Sequence, residues 1–171
     1  MLPKIILAAL AAVAGTQIVS ARWISEAKMS CPSGKEGTFK FDDPHNGFVE
    51  VTITFKNLIP GAQYNYFIDK HSVGAIKDCT KSGGLFDPKG VFSNPDTYSC
   101  KADNIKTCAV GDLTGRGGVL VGTNDPSRVT TLVWKDKGIV LRGTNSVNGK
   151  SVVLYDNNEN LILCSDIVRV Q

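Results

Sequence analysis

Between Phe48 and Asn57, Val49, Val51, Ile53 and Phe55 alternate with Glu50, Thr52, Thr54 and Lys56. A period of two puts every second side chain on one face, so this stretch buries its apolar half as a strand and not as a helix. Shorter segments of the same kind flank it: GTFKF (37–41) before the turn Pro44-His45-Asn46-Gly47, and YNYFID (64–69) after Pro60-Gly61. RVTTLVWK (128–135), GIVLRG (138–143), KSVVLYD (150–156) and LILCSDIVRV (161–170) follow. They are rich in β-branched residues and are separated by Gly, Asn and Asp. No segment beyond the N-terminal leader has helical spacing over three turns, and the residues leading to Cys31 carry no strand pattern. Seven or eight strands are predicted, an all-β antiparallel sandwich or barrel.

The N-terminus reads differently. Lys4, an apolar run from Ile5 to Ala14 and the small residues of Val19-Ser20-Ala21 fit a secretory leader. The run is too short and wrongly flanked for a membrane anchor. Residues 1–21 are therefore expected to be a signal peptide and 22–171 a single domain, secreted and extracellular. No other long apolar run follows, and the end at Gln171 lacks the apolar tail that a lipid anchor needs. No membrane association is expected. The net charge of +3 includes Lys4, and the remaining basic residues are scattered, which argues against nucleic acid as a partner. No Asn-x-Ser/Thr sequon is present.

Residues 70–124 hold much of the Gly and Pro and three of the five cysteines. A segment this long without regular structure is expected to be functional or tied down. In an exported chain the cysteines are expected to be mostly in disulfides, with one left over. Cys100 and Cys108 are near enough in sequence to pin a local loop, and Cys79 with Cys164 can join the long segment to the last strand; spacing alone leaves other pairings open. No Ser or Cys has a plausible base partner for nucleophilic catalysis.

Four segments, VTITFKNLIPGAQYNYFID, DCTKSGGLFDP, CAVGDLTGRGG and GKSVVLYDNNENLILC, resemble in order and spacing the copper/zinc superoxide dismutases, and within them the secreted copper-only branch of fungi and oomycetes. The resemblance spans nearly all of residues 22–171. It implies an eight-stranded antiparallel Greek-key β-barrel with long loops over copper. It also implies disulfides Cys79–Cys164 and Cys100–Cys108, leaving Cys31 free or in an intermolecular bond.

Carried over by position, the family's copper histidines fall on Phe67, Asp69, Leu85 and Tyr155, and its guiding arginine near Leu161. Of the supporting acidic groups, Asp112 is retained, here with a turn-capping role, while Ala109 stands at another. The chain has two histidines, His45 and His71. His45, in a Pro-His-Asn-Gly turn, is expected to be solvated, and His71 to sit on the surface at a loop start. Copper(II) prefers a nitrogen-rich array, which Phe67 and Leu85 cannot supply. Phe67, Leu85 and Tyr155 are expected to fill the vacated volume as a dry plug, with the Tyr155 hydroxyl on a neighbouring backbone group.

The expectation is accordingly a protein that is not an enzyme and holds no cofactor, acting as an interaction protein or effector on a protein partner, that of a host included. Two alternatives stand beside it. One is a copper-dependent dismutase with a remodelled site drawing on His71, Asp69, Tyr155 and His45; the other is a metal-buffering protein.

Overall fold

Pairing partners decide how the alternating segments assemble. In the computed structural model, which describes residues 22–171, they form β1 (Trp23–Ser30), β2 (Glu36–Asp43), β3 (Val49–Lys56), β4 (Gln63–Asp69), β5 (Leu120–Val121), β6 (Val129–Asp136), β7 (Ser151–Asp156), β8 (Leu161–Asp166) and β9 (Val168–Arg169). One short helix, α1 (Leu113–Gly117), precedes β5. The strands make two antiparallel sheets, ordered β6-β3-β2-β1-β9 and β5-β4-β7-β8. The chain crosses between them at β3–β4, β5–β6, β6–β7 and β8–β9, which is the two-sheet barrel anticipated from the alternation. The signal peptide expected over residues 1–21 lies outside the described residues, among which no helix is long and apolar enough to cross a membrane.

The apolar half of each long strand points between the sheets. Phe39, Phe41, Val51, Ile53 and Phe55 come from one side and Tyr66, Ile68, Val152 and Leu154 from the other, all fully buried. Phe39 meets Phe55 edge-on at 5.8 Å and Tyr66 at 5.5 Å, so the aromatic rings bridge the two sheets. Burying each such side chain stabilises the fold by roughly 1.5–3 kcal/mol.

Two segments depart from expectation. Residues 23–30 are a full strand, paired with β2 over eight residues from Trp23↔Asp43 to Ser30↔Glu36. Its inward positions are Ser25, Ala27 and Met29, which are small or weak strand formers, so the alternation has little contrast. The GIVLRG segment is not a strand. Ile139 and Leu141 are buried as the pattern predicts, but no strand among the described residues pairs with them. The Asp136 carboxylate accepts from the amides of Gly138 (2.7 Å) and Ile139 (3.0 Å), and the Asn148 side chain donates to the Leu141 carbonyl (2.7 Å). Burial periodicity is satisfied here without a ladder. LILCSDIVRV is also divided: buried Ile167 turns the chain from one sheet to the other, so that β9 pairs with β1.

Cys79 is bonded to Cys164 on β8, and Cys100 to Cys108 within the long segment. The Asp166 carboxylate adds a second tie, accepting from the Val73 amide (2.7 Å), the Gly74 amide (3.1 Å) and the Ser72 hydroxyl (2.7 Å). Cys31 is a free thiol, half-buried, 2.9 Å from the Ser33 hydroxyl.

Candidate functional site

Strand β4 has two faces with different work. Tyr64, Tyr66 and Ile68 enter the core, which leaves Asn65, Phe67 and Asp69 on the opposite face, beneath the long segment. On the neighbouring strand Tyr155 stands directly across from Asn65. A register shift against β8 between Leu154 and Tyr155 disrupts the ladder at this point, as bulges do where a side chain is re-aimed.

Residues 82–86 fold back along the end of β4. The amides of Lys70 and His71 donate to the carbonyls of Gly84 (2.9 Å) and Ser82 (2.8 Å), and the Phe86 amide to that of Ile68 (2.8 Å). This sets Leu85 opposite Asp69 in an isolated bridge. Gly111 locks the arrangement from the other side: it donates to Phe86, accepts from Ile68, and a Cβ there would stand 2.3 Å from the Ile68 oxygen.

Phe67, Asp69, Leu85 and Tyr155, picked out from separate parts of the sequence, consequently line one cavity of about 500 Å³. A filled plug was expected; the structure has an open space instead. The Phe67 and Tyr155 rings meet edge-on at 6.0 Å as one wall without filling it, and no backbone group among the described residues accepts from the Tyr155 hydroxyl. Phe92 and Tyr98, also edge-on at 4.9 Å, line it from the long segment, and Glu159 from the turn between β7 and β8.

Asp112 does cap a turn. It is the N-cap of α1, accepting from the Gly115 amide (2.8 Å), and its other oxygen accepts from the Tyr98 hydroxyl (2.7 Å). The Tyr98 oxygen in turn accepts from the Ala109 amide (3.0 Å). Asp112 thus orients a cavity wall as well as the helix.

Asp69 is only 4% exposed. Burial pushes its carboxyl above the ordinary range, with Ser82 and Lys70 opposing. Burial and then the Asp69 charge push the Tyr155 phenol upward. Among the described residues no Lys, Arg or His lines the cavity, whereas Asp69, Asp112 and Glu159 do.

A carboxyl whose folded pKa is raised favours the protonated form in the fold. It opposes folding above that pKa, and the penalty fades as pH falls toward the unfolded value. Asp69→Asn is therefore expected to raise the melting temperature at pH 7, with the gain shrinking as pH approaches 4. Thermal unfolding of the two proteins across that range checks it; a lower melting temperature at pH 7 contradicts it.

The two histidines do not join this site. The His71 ring is exposed and lies over Gly83, where a Cβ would come within 2.0 Å of it, and it does not line the cavity. His45, expected to be solvated, is half-buried: it holds φ 60° in the β2–β3 turn, and among the described residues its Nδ1 has no hydrogen-bond partner. Among the described residues no three His, Cys, Asp or Glu side chains are grouped to hold a metal ion. Sequence reasoning missed Asn65, Phe92, Tyr98 and Glu159 as lining residues. Asn65 shares the period of Phe67 and Asp69, and Tyr98 lies two residues before Cys100, so both had a usable signal; Phe92 and Glu159 had none.

A family model described as copper/zinc superoxide dismutase matches residues 35–166. Candida albicans cell surface Cu-Zn superoxide dismutase 4 is 29% identical over 147 residues, and cell surface Cu-only superoxide dismutase 5 of the same organism 27% identical over 147 residues. The matches cover 84% of this chain but 58% and 59% of those proteins, so the chain spans under two thirds of the curated relatives' length. A solved structure of Candida albicans superoxide dismutase 5 with Cu(II) has a TM-score of 0.72 and 26% identity, covering 88% of this chain and 94% of that one.

These findings correct two expectations, that the chain is not an enzyme and that it has no cofactor. The relatives are named as superoxide dismutases, one of them Cu-only and solved with Cu(II). The side chains at four positions bear on how copper would be held, not on membership of an enzyme family. The fit itself is poor: Phe67 and Leu85 offer no donor atom, while Asp69 and Tyr155 offer oxygen where copper(II) prefers nitrogen. The cavity's side chains do not fit copper as a complex of four imidazoles.

Proposed function

Because the chain belongs to the copper/zinc superoxide dismutase family, we propose that it acts outside the cell or at its surface, as a copper-dependent superoxide dismutase whose site at this cavity is remodelled. A leader over residues 1–21 and a single domain over 22–171 belong to the same reading. What supports it is the extent of the family match: residues 35–166 include every residue that lines the cavity. Kinship carries the reading, not the donor set, and no dismutation step runs through the cavity's side chains as they stand.

Charge sets the expected rate. Leu161, 38% exposed, stands near the place the resemblance gives to a guiding arginine, and among the described residues the cavity carries carboxylates and no basic side chain. Superoxide is an anion, so the local field does not draw it in, and added salt should raise turnover by screening repulsion. The test is superoxide decay by the purified chain during copper loading, against the same copper in protein-free buffer. Expected is decay faster than the copper control, rising with ionic strength. A rate equal to the copper control rejects the reading.

A further inference from the structure

The mismatch between copper and the cavity's lining points to a second kind of occupant. We propose that the cavity binds a small organic cation, an arylalkyl ammonium, with its nitrogen at the Asp69 carboxylate and its apolar body against the aromatic walls. The inference goes beyond the dismutase reading and does not depend on copper.

Size, walls and charge agree on this class. A cavity of about 500 Å³ lies within the roughly 300–1,000 Å³ typical of small-molecule sites, which are mostly apolar with a few placed polar groups. Here the apolar part is two edge-on aromatic pairs, Phe67–Tyr155 from the sheet and Phe92–Tyr98 from the long segment. Aromatic faces attract ammonium groups through the ring quadrupole, and more strongly when water is excluded.

The placed polar group is Asp69. It is buried to 4% exposure and lines the cavity, and it ion-pairs with no Lys, Arg or His among the described residues. The buried acids elsewhere are paired: Asp136 with Arg116, and Asp42 with Arg22 and Lys40. Asp112 already accepts from Tyr98 and Gly115. Among the described residues Asp69 thus forms no ion pair, as Asp112 forms none, but it is the more deeply buried of the two and it lines a space large enough to admit a cation. A buried charge without a partner is unfavourable, and a bound ammonium relieves it. The same carboxylates, with no basic side chain lining the cavity among the described residues, disfavour anions.

The test is calorimetric titration of the full chain, kept metal-free with a chelator, with 2-phenylethylammonium, 2-phenylethanol and 3-phenylpropionate. The ammonium is expected to bind at least tenfold more tightly than the alcohol, with no measurable heat from the carboxylate. In Asp69→Asn the ammonium should fall to the affinity of the alcohol, and in Phe67→Ala both should weaken together. Circular dichroism spectra matching the parent show that the variants fold; should Asp69→Asn fail to fold, Asp69→Ser takes its place, with the same fall of the ammonium to the affinity of the alcohol expected. Equal binding of ammonium and alcohol by the parent chain overturns the inference, as does an ammonium affinity unchanged in folded Asp69→Asn. Because copper is excluded throughout, failure here is separate from failure of the dismutase reading.

Discussion

Arg116→Ala is expected to destabilise the fold by about 3–5 kcal/mol, the range for removing one partner of a buried ion pair. Arg116 and Asp136 have side chains only 2% and 0% exposed, joined by a two-point contact whose Nε–Oδ2 distance is 2.8 Å. The guanidinium also reaches the carbonyls of Cys108 (3.5 Å) and Ala109 (3.4 Å), and the carboxylate also accepts from the amides of Gly138 and Ile139. One pair therefore ties α1, the long segment, β6 and the loop after it.

Burial alone would raise the Asp136 carboxyl. Arg116 and the two amides outweigh burial and hold it below the ordinary range. A depressed folded pKa means that this contribution is complete above the unfolded carboxylate value and is lost as pH falls through the folded one. Urea unfolding at pH 7 should show the full loss for Arg116→Ala, and less of it below pH 4. Replacing both partners with apolar residues of similar volume should recover much of the loss. A loss under 1 kcal/mol for Arg116→Ala at pH 7 would contradict this picture.

Removing the Cys79–Cys164 bond is expected to have an effect of similar size for a different reason. The bond spans 85 residues of sequence, and on the chain-entropy account closing such a loop contributes roughly 4–5 kcal/mol through the unfolded state. For a domain of this size the melting temperature should fall by about 10–15 °C in Cys79→Ser/Cys164→Ser. Cys100–Cys108 spans only eight residues, so the same account gives about 2–3 kcal/mol for its removal. A scanning-calorimetry comparison should rank the two double variants in that order; the reverse order would sink the loop-length argument. The long bond also holds the segment that supplies Leu85, Phe92 and Tyr98 to the cavity, so its loss should weaken ligand binding before the sheets unfold.

Strands with strong contrast were legible from their own residues. In β3 four buried apolar positions alternate with four that are not, and its neighbours followed from turn chemistry. β1 was not legible because Ser25, Ala27 and Met29 make a weak pattern, and its strand state comes from pairing with β2. GIVLRG shows the opposite case, a good pattern with no neighbour to bond. At the site, Phe67, Asp69, Leu85 and Tyr155, named from motif order, line one cavity because β4, β7 and the 82–86 segment are fixed by backbone bonds. Whether those side chains fill or frame the space depends on ring angles and on the bulge at Tyr155, which are three-dimensional facts with no sequence signature. The lack of an ion pair at Asp69 among the described residues is of the same kind: it depends on where the basic side chains end up in three dimensions.

That an open, cation-accepting cavity lies where Phe67, Asp69, Leu85 and Tyr155 converge is tested most directly by a crystal structure of the chain grown with 2-phenylethylammonium. The expected density is a ring among Phe67, Tyr155 and Phe92 with its nitrogen within hydrogen-bond reach of the Asp69 carboxylate. A cavity closed by the side chains of Phe67 and Tyr155, with the ligand absent or lodged elsewhere on the surface, would contradict it.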